Sequence, residues 1–264
     1  MTKFYSKFIF KNKKIIVIGG SGQLGFKTCE MLINAGARVI NIDIFEKKKI
    51  RNKNYFYYRC DITDELEVES CKKQIKKKFN SINALINHSH YKGDPKNLKP
   101  FHSFFSTVEK YSTDIWKKTL DVNLNGLFFT TRSFLPMLLK NKNSVILNTS
   151  STYGKISPNK SIYGNSGINS PIGYATTKSA IIGFTKYLAC HYADKGLRAN
   201  ILIPGGISNK KQKIKFVKNY SKLTPLGKMS KTSDYMETVL YMVSDASSYM
   251  TGAEVVVDGG FTTW

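Results

Sequence analysis

Short apolar runs alternate along the chain with longer stretches in which apolar residues recur at helical spacing. The first apolar run, Ile15–Ile18, is followed by a helical stretch. A second, charged helical stretch extends from about Asp64 to Phe79, and a third surrounds Trp116–Leu139. The short runs predict strands at Ile15–Ile18, Val39–Ile44, Tyr55–Tyr58, Ala84–Ile86, Ser144–Asn148, Ala199–Ile203 and Glu254–Val257.

Alternating strands and helices are typical of parallel βαβ units. No repeat or linker of distinct composition divides the sequence, and 264 residues suit one large domain. We therefore predict a single α/β domain over residues 1–264, a doubly wound Rossmann-type sheet of seven or so parallel strands flanked by helices. Ligands of such sheets bind beyond the carboxyl ends of the strands.

The charge is strongly positive, with 41 Lys and Arg against 18 Asp and Glu and a formal net charge of +23. Such a surface suits nucleic acid, an anionic membrane or an acidic substrate. The lysines fall in short clusters that are not part of a nucleic-acid motif, so we favour a composition bias over a nucleic-acid surface. A phosphorylated or nucleotide-linked substrate is also compatible with the positive charge.

The sequence also predicts a compartment. No apolar run approaches the roughly 18 residues that a spanning helix needs, and the N-terminal residues do not resemble a signal peptide. Four cysteines stand far apart without C-x-x-C spacing, which argues against a disulfide framework or a zinc site. We expect a cytoplasmic protein without a membrane partner and without a bound metal.

A glycine-rich turn follows the first predicted strand. Gly20, Gly22 and Gly25 form a G-x-G-x-x-G pattern, whose glycines let the backbone approach a pyrophosphate at a helix N-terminus. Asp43 ends the second strand about 20 residues further on, where a carboxylate accepts hydrogen bonds from ribose hydroxyls and repels a 2′-phosphate. The pattern predicts a dinucleotide cofactor, with NAD preferred and NADP possible.

Tyr174 and Lys178 lie four positions apart at the start of a predicted helix, so both side chains share one helical face. A phenol has an ordinary pKa of about 10, and a nearby positive charge lowers it. The pair therefore predicts an acid–base couple.

Polar residues end the strand before this helix. One serine of Asn148-Thr149-Ser150-Ser151 is expected to reach the cleft and bind a substrate oxygen, the alternative being a polar strand end or helix cap. Asn123 lies inside a predicted helix, where a buried amide must find partners and could position a water.

These motifs, in their order along the chain, closely resemble the short-chain dehydrogenase/reductase family in its compact single-domain branch. The resemblance covers almost the whole length. The matching features are the turn Gly19–Gly25, Asp61-Ile62, Leu85-Ile86-Asn87, Asn123, Ser151, Tyr174 with Lys178, Pro204-Gly205 and Thr251-Gly252 to Asp258-Gly259-Gly260.

The resemblance implies an oxidoreductase that moves a hydride between a nicotinamide and a carbonyl or alcohol carbon. Its tetrad would be Asn123 holding a relay water, Ser151 orienting the substrate, Tyr174 as acid/base, and Lys178 holding the nicotinamide ribose and lowering the tyrosine pKa. Ser151 is preferred to Ser150 because it begins the family's S-x-x-G. The implied cofactor contacts are Gly19, Ser21, Gly22, Gln23, Leu24, Gly25, Asp43, Asp61, Ile62, Asn87, Tyr174, Lys178, Pro204, Gly205 and Ile207. Asp61 and Ile62 would meet the adenine, and Pro204 to Ile207 the nicotinamide amide.

The sequence departs from the family pattern at three places. Ile18 and Gln23 replace a usual threonine and a frequent glycine of the turn. The family's Asn-Asn-Ala-Gly is Asn87-His88-Ser89-His90 here, for which we expect a loop or substrate-facing role rather than a metal pair. Ser151 and Tyr174 are further apart than usual, and the extra segment Lys155–Ile172 is predicted to be a loop over the substrate.

This segment and the chain's ending resemble oxidoreductases of flagellin modification and amino-sugar biosynthesis. The leading hypothesis is therefore an enzyme acting on an activated or phosphorylated (amino) sugar in surface-glycan biosynthesis. The alternatives are a 3-oxoacyl-thioester (acyl carrier protein) reductase and, in another class, a catalytically silent nucleotide-binding regulatory protein. Members of the family often form oligomers whose subunits pack through their long central helices, so the resemblance implies a homotetramer or homodimer.

Overall fold

A computed structural model describes residues 5–91, 93, 103–165, 170–210 and 212–264. Its seven strands form one parallel sheet in the order β3-β2-β1-β4-β5-β6-β7. The strands are β1 Lys14–Ile18, β2 Arg38–Asp43, β3 Tyr55–Arg59, β4 Ala84–Asn87, β5 Ser144–Thr149, β6 Leu197–Pro204 and β7 Glu254–Val257. The predicted Rossmann-type sheet is confirmed.

Eight α-helices of the described residues cover the two faces of the sheet. They are α1 Gln23–Asn34, α2 Glu65–Lys78, α3 Thr113–Leu120, α4 Gly126–Leu138, α5 Thr152–Lys155, α6 Ile172–His191, α7 Ile214–Lys222 and α8 Met236–Val243. Asp64 caps α2 by accepting hydrogen bonds from the amides of Leu66 and Glu67. This is the N-terminus that the sequence suggests.

The helix predicted around Trp116–Leu139 is not continuous. A π-helical turn, Asp121–Asn125, separates α3 from α4 and contains Asn123. Such turns carry one extra residue and are frequent at functional sites. The apolar periodicity continues on both sides, so the pattern alone could not reveal the interruption.

Each face of the sheet has its own hydrophobic core, and β1 shows how one strand serves both. Ile16 and Ile18 pack into the core on one face, whereas Ile15 and Val17 pack into the core on the other. Side chains alternate between the faces of a strand. Because both faces are covered, all four residues are buried, and the strand is continuously apolar as parallel strands are.

The strand order reverses between β1 and β4, which creates a crevice outside their carboxyl ends. The glycine-rich turn leaves β1 here, and Asn87 and Thr149 end β4 and β5 at the same edge. The topology therefore brings the predicted site residues to one edge of the sheet. No helix in the described ranges is long and apolar enough to cross a membrane.

Candidate active site

The glycine-rich turn connects β1 to α1. A Cβ on Gly25 would lie 2.1 Å from the Gly19 carbonyl oxygen, so α1 packs directly on the turn. Gly19 has a φ of +75° and lies against the backbone of Ser89, a conformation that favours glycine. Gly22 caps α1 without a side-chain hydrogen bond, and Leu24 is half-buried in the first turn. The helix N-terminus is suited to a pyrophosphate.

Asp43 and Ser21 join this turn to the end of β2. The Ser21 amide donates to Asp43 Oδ2 at 2.9 Å, and the Ile44 amide donates to Asp43 Oδ1 at 2.8 Å. Burial raises the pKa of the Asp43 carboxyl, and the backbone N–H groups oppose that rise. Each carboxylate oxygen can accept another bond. Asp43 is therefore fixed in orientation and still able to receive a ligand hydroxyl.

The segment after β6 forms the opposite side of the crevice. Pro204 ends β6, and the predicted contacts Gly205 and Ile207 follow it. Gln23 Nε2 donates to the Ser208 carbonyl at 2.9 Å and so connects α1 to this segment. The glutamine that departs from the family's glycine thus has a structural partner, which the sequence did not reveal.

Asp61 and Ile62 occupy the turn between β3 and α2. Asp61 Oδ1 accepts from the amide and the hydroxyl of Thr63 at 2.9 and 2.7 Å. Ile62 is buried against Gly126, where an added Cβ would lie 2.7 Å from Ile62 Cγ1. The turn is held rigidly at the carboxyl end of β3, next to the end of β2.

Asn87 ends β4 at the carboxyl edge of the sheet, and its side-chain amide is only partly satisfied. Its Nδ2 donates to Asn148 Oδ1 at 2.6 Å, and Asn148 Nδ2 donates to the Thr185 hydroxyl at 2.9 Å. Asn87 Oδ1 is buried and has no hydrogen-bond partner among the residues that the structure describes. A buried acceptor without a partner is costly. Its orientation is therefore suited to a donor supplied by a ligand.

His88 has a structural rather than a substrate-facing position. The imidazole is buried, with Nε2 3.1 Å from the Thr28 hydroxyl and Nδ1 2.7 Å from the Thr149 hydroxyl. Burial, and then the charge of Lys178, lowers the pKa of His88 to about 3. His88 does lie in the loop that follows β4, as expected, but it does not face the substrate, because both nitrogens join α1 to β5. In the described chain, no three His, Cys, Asp or Glu side chains cluster as metal ligands would.

Ser151 and Ser150 point in different directions. Ser151 caps α5, accepting from the Tyr153 amide at 3.2 Å, and its hydroxyl lies near enough to the Tyr174 phenol to affect the pKa of that phenol. Ser150 Oγ instead donates to the Lys178 carbonyl at 2.7 Å, inside the packing of α5 on α6. The geometry thus places Ser151, and not Ser150, beside the tyrosine.

Tyr174 and Lys178 project from the first turns of α6 on one face. Lys178 Nζ lies 5.6 Å from the centre of the Tyr174 ring and donates to the Thr149 carbonyl at 2.7 Å. Burial lowers the pKa of Lys178 to about 7. Burial also raises the pKa of Tyr174, while the nearby Ser151 hydroxyl opposes the rise. The expected lowering of the tyrosine pKa is thus not present in the protein alone, because burial is the largest influence on the phenol and raises its pKa.

Asn123 is buried and bonded to protein at both ends of its amide. Oδ1 accepts from the Tyr91 amide at 2.7 Å, and Nδ2 donates to the Thr177 hydroxyl at 2.9 Å. Thr177 donates in turn to the Tyr174 carbonyl at 3.0 Å. Asn123 therefore connects the π-helical turn to α6, with one N–H and one lone pair left for a water.

The segment Lys155–Ile172, called the insert below, packs on α7 beside Tyr174. It contains a 3₁₀ turn, Lys160–Tyr163, and residues 166–169 lie outside the described residues. Asn219 Nδ2 of α7 donates to the Ile162 carbonyl at 3.1 Å. Tyr163 lies near enough to Tyr174 to raise its pKa. The predicted loop over the substrate side is therefore partly helical and joined to α7.

Several residues of the crevice were not identified by sequence reasoning. Tyr153 lies close enough to Tyr163 for that phenol to raise its pKa, and the Gly206 amide donates to the Tyr220 hydroxyl at 2.7 Å. His90, which the sequence analysis does name, has its ring edge-on to the Tyr174 ring, with centres 6.1 Å apart and an interplanar angle of 67°. Aromatic residues are common in this chain, so their sequence positions carried no signal.

Comparison with known proteins gives close matches along the chain. The family described as Enoyl-(Acyl carrier protein) reductase matches residues 21–262. The 3-oxoacyl-[acyl-carrier-protein] reductase of Chlamydia pneumoniae is 28% identical over 261 residues, 95% of this chain and 97% of that protein. Sorbose reductase of Candida albicans is 27% identical over 272 residues, 97% of this chain and 89% of that protein.

A solved structure is similar over almost all of the fold. The short chain dehydrogenase from Leptospira borgpetersenii, crystallised with bound NAD+, has a TM-score of 0.88 and 32% sequence identity. The match covers 99% of this chain and 96% of that one.

Proposed function

Because the chain belongs to the short-chain dehydrogenase/reductase family and is an NAD(P)-dependent oxidoreductase, we propose that Tyr174 is its acid/base and Ser151 its substrate-orienting group. The observation that carries this proposal is the closeness of these two hydroxyls, which lets Ser151 affect the pKa of Tyr174, with Lys178 one turn further along α6. Both hydroxyls lie at the edge of the sheet where the glycine-rich turn leaves β1.

The residues present fit a dinucleotide. The N-terminus of α1 has no side-chain cap and suits a phosphate. The oriented carboxylate of Asp43 suits ribose hydroxyls. Asn87 Oδ1 has no partner among the described residues and suits a hydrogen-bond donor. The nicotinamide, when bound, supplies or accepts the hydride. The proposed contacts beyond these are Gly19, Ser21, Gly22, Gln23, Leu24, Gly25, Asp61, Ile62, Lys178, Pro204, Gly205 and Ile207.

The protein moves a proton at the substrate oxygen. In reduction, Ser151 donates a hydrogen bond to the carbonyl oxygen, and the Tyr174 hydroxyl gives its proton to that oxygen as it becomes an alcohol. In oxidation, the phenolate takes the proton back. The charged form of Lys178 favours the phenolate, and ribose hydroxyls accepting from its ammonium would favour that form. Asn123 would hold a water next to Lys178.

The test of this chemistry is Tyr174→Phe. The substitution removes the hydroxyl but keeps the ring, so turnover should fall by at least about a hundredfold while the Kd for NADH stays within twofold of the wild type. Turnover can be measured from nicotinamide absorbance and Kd from protein fluorescence. Retained turnover in the variant would refute the assignment.

For the cofactor we propose a preference for NAD. The Asp43 carboxylate, fixed by the Ser21 and Ile44 amides, accepts from ribose hydroxyls and repels a 2′-phosphate. Titration with NADH and NADPH tests this directly. Tighter binding of NADPH would contradict it.

For the substrate we propose an activated or phosphorylated (amino) sugar in surface-glycan biosynthesis. The insert brings Tyr163 close to Tyr174, and Tyr153 of α5 lies close to Tyr163. The sequence from Lys195 to Ser233, which includes α7, contains no Asp or Glu. Phenol groups suit a polyhydroxylated ligand and a cationic wall suits its phosphate. The sorbose reductase of Candida albicans shows that a similar chain acts on a sugar.

The second candidate substrate is a 3-oxoacyl thioester on an acyl carrier protein. The matched family and the similar reductase of Chlamydia pneumoniae carry that name, and a basic surface also suits an acidic carrier. A panel of nucleotide-linked sugars, sugar phosphates and acyl thioesters, assayed with NADH and NADPH, separates the two. Binding of NADH without turnover of any panel member would favour the silent regulatory alternative.

We also propose a homo-oligomer, a tetramer or dimer, assembled through α4 and α6. Phe128 on α4 and Tyr187 on α6 are large side chains with 44% and 56% of their surface exposed. Exposed aromatic residues on helix faces are typical of protein interfaces. A single monomer peak on size exclusion with light scattering would contradict this proposal.

A further inference from the structure

The segment Gly205–Ser208, which follows β6, is bonded to both sides of the crevice. From α1, Gln23 Nε2 donates to the Ser208 carbonyl at 2.9 Å. From α7, the Tyr220 hydroxyl accepts from the Gly206 amide at 2.7 Å. Because α1 begins at the glycine-rich turn and α7 packs against the insert, this segment connects the cofactor side of the crevice to the substrate side.

The contact between Tyr220 and Gly206 is close and buried. Only 4% of the Tyr220 surface is exposed, and its ring stacks on Phe261 with centres 4.6 Å apart and an interplanar angle of 4°. A Cβ on Gly206 would lie 2.6 Å from Tyr220 Cζ. Burial raises the pKa of Tyr220 to about 12, so the phenol stays neutral at physiological pH. The hydroxyl is therefore a fixed acceptor for the Gly206 amide and not an acid.

The neighbours of Tyr220 on α7 hold the insert. Asn219 Nδ2 donates to the Ile162 carbonyl at 3.1 Å. Phe216, one turn before Tyr220, has its ring centre 5.7 Å from that of Tyr163. Ile162 and Tyr220 also belong to one small hydrophobic cluster. Because the turns of a helix move together, the insert and the segment after β6 are connected through α7.

We propose that Tyr220 is a positioning residue whose hydroxyl holds the Gly206 amide and so fixes the segment Gly205–Ser208 against the nicotinamide end of the bound dinucleotide. The inference rests on the proposed function, in which Gly205 and Ile207 contact the cofactor. The effect should be confined to the nicotinamide half, because the proposed adenosine contacts lie at the ends of β2 and β3, on the far side of β1. Tyr220 is thus the point at which α7, which otherwise encloses the substrate, acts on the cofactor.

The experiment compares two ligands by calorimetric titration of the full chain. NADH contains both halves of the dinucleotide, whereas ADP-ribose contains the adenosine, the pyrophosphate and a ribose but no nicotinamide. The variant is Tyr220→Phe, which keeps the ring that stacks on Phe261 and removes only the hydroxyl. The matched control is Tyr249→Phe, the same chemical change at a fully exposed residue.

We expect Tyr220→Phe to raise the Kd for NADH about fivefold, because the Gly206 amide loses its acceptor, and to leave the Kd for ADP-ribose unchanged. Tyr249→Phe should match the wild type with both ligands. Gly206→Ala disturbs the same contact from the other partner, because its methyl group would displace the Tyr220 ring, and it should show the same difference between the ligands. Circular dichroism verifies that the variants are folded.

Two results would overturn the proposal. Equal Kd values for NADH in the wild type and Tyr220→Phe would mean that the hydroxyl does not act on the cofactor. An equal rise in the Kd for NADH and for ADP-ribose would mean that the substitution loosens the fold in general and not the nicotinamide end. Failure of the proposed function has a different signature, since the wild type would then bind neither NADH nor NADPH.

Discussion

The two sides of the crevice are built by different means. On the cofactor side, backbone atoms approach one another at glycines, and a Cβ on Gly25 would lie 2.1 Å from the Gly19 carbonyl oxygen. On the substrate side, the insert and α7 are joined through aromatic side chains, such as Tyr163 and Phe216 with ring centres 5.7 Å apart. The cofactor side therefore has no room for a side chain at these glycines. The substrate side is instead held together by side-chain contacts, which a substitution can remove.

The largest effect is expected from removing a hydroxyl at the catalytic centre. Ser151→Ala should lower kcat about a hundredfold, the usual cost of losing one donor to a reacting oxygen, and should leave the Kd for NADH unchanged. Ser150→Ala is the matched control, because Ser150 Oγ donates to the Lys178 carbonyl rather than to Tyr174. Steady-state kinetics and NADH titration of both variants provide the measurement.

Two outcomes would contradict the expectation that the substrate side affects kcat without affecting NADH binding. One is a fall in NADH affinity that parallels the fall in kcat for Ser151→Ala. The other is a larger loss of kcat in Ser150→Ala than in Ser151→Ala, which would transfer the orienting role to the wrong serine.

A smaller effect is expected from adding one methyl group on the cofactor side. Gly25→Ala forces α1 away from the glycine-rich turn, so the Kd for NADH should rise about tenfold and overpacking should cost ~1–3 kcal/mol of folding free energy. Gly183→Ala in α6 is the control, because its added Cβ meets no described atom within 4 Å. It should stabilise the helix by up to ~1 kcal/mol.

Thermal unfolding and NADH titration distinguish these expectations. If Gly25→Ala bound NADH as tightly as the wild type, close packing of α1 on the glycine-rich turn would not be required for cofactor binding. If Gly183→Ala were equally destabilising, the loss in Gly25→Ala would reflect helix substitution in general rather than the clash with Gly19.

This contrast explains how much the sequence alone could predict. The seven strands and the position of Asp43 at the end of β2 followed from periodicity and spacing, because a parallel sheet with both faces covered requires apolar runs. Tyr174 and Lys178 followed from an i,i+4 spacing on α6. Each of these features depends on residues that are near in sequence.

The features that escaped prediction depend on residues that are distant in sequence. Gln23 bonds to Ser208 and His88 lies between Thr28 and Thr149, contacts that no local pattern contains. The π-helical turn at Asn123 and the raised pKa of Tyr174 likewise result from packing around them. Side chains buried by tertiary contacts acquire properties that spacing cannot encode.

The smallest effect is expected on the substrate side, from Tyr163→Phe. Tyr163 lies near Tyr153 and Tyr174, so we expect its hydroxyl to border the space that the substrate must enter. Removing one neutral hydrogen bond should raise KM about threefold, with kcat and the Kd for NADH nearly unchanged. Tyr249→Phe is the control, because Tyr249 is fully exposed. A kcat loss larger than the KM change would instead place Tyr163 in the proton transfer, and the substrate side would then be part of the chemistry rather than its enclosure.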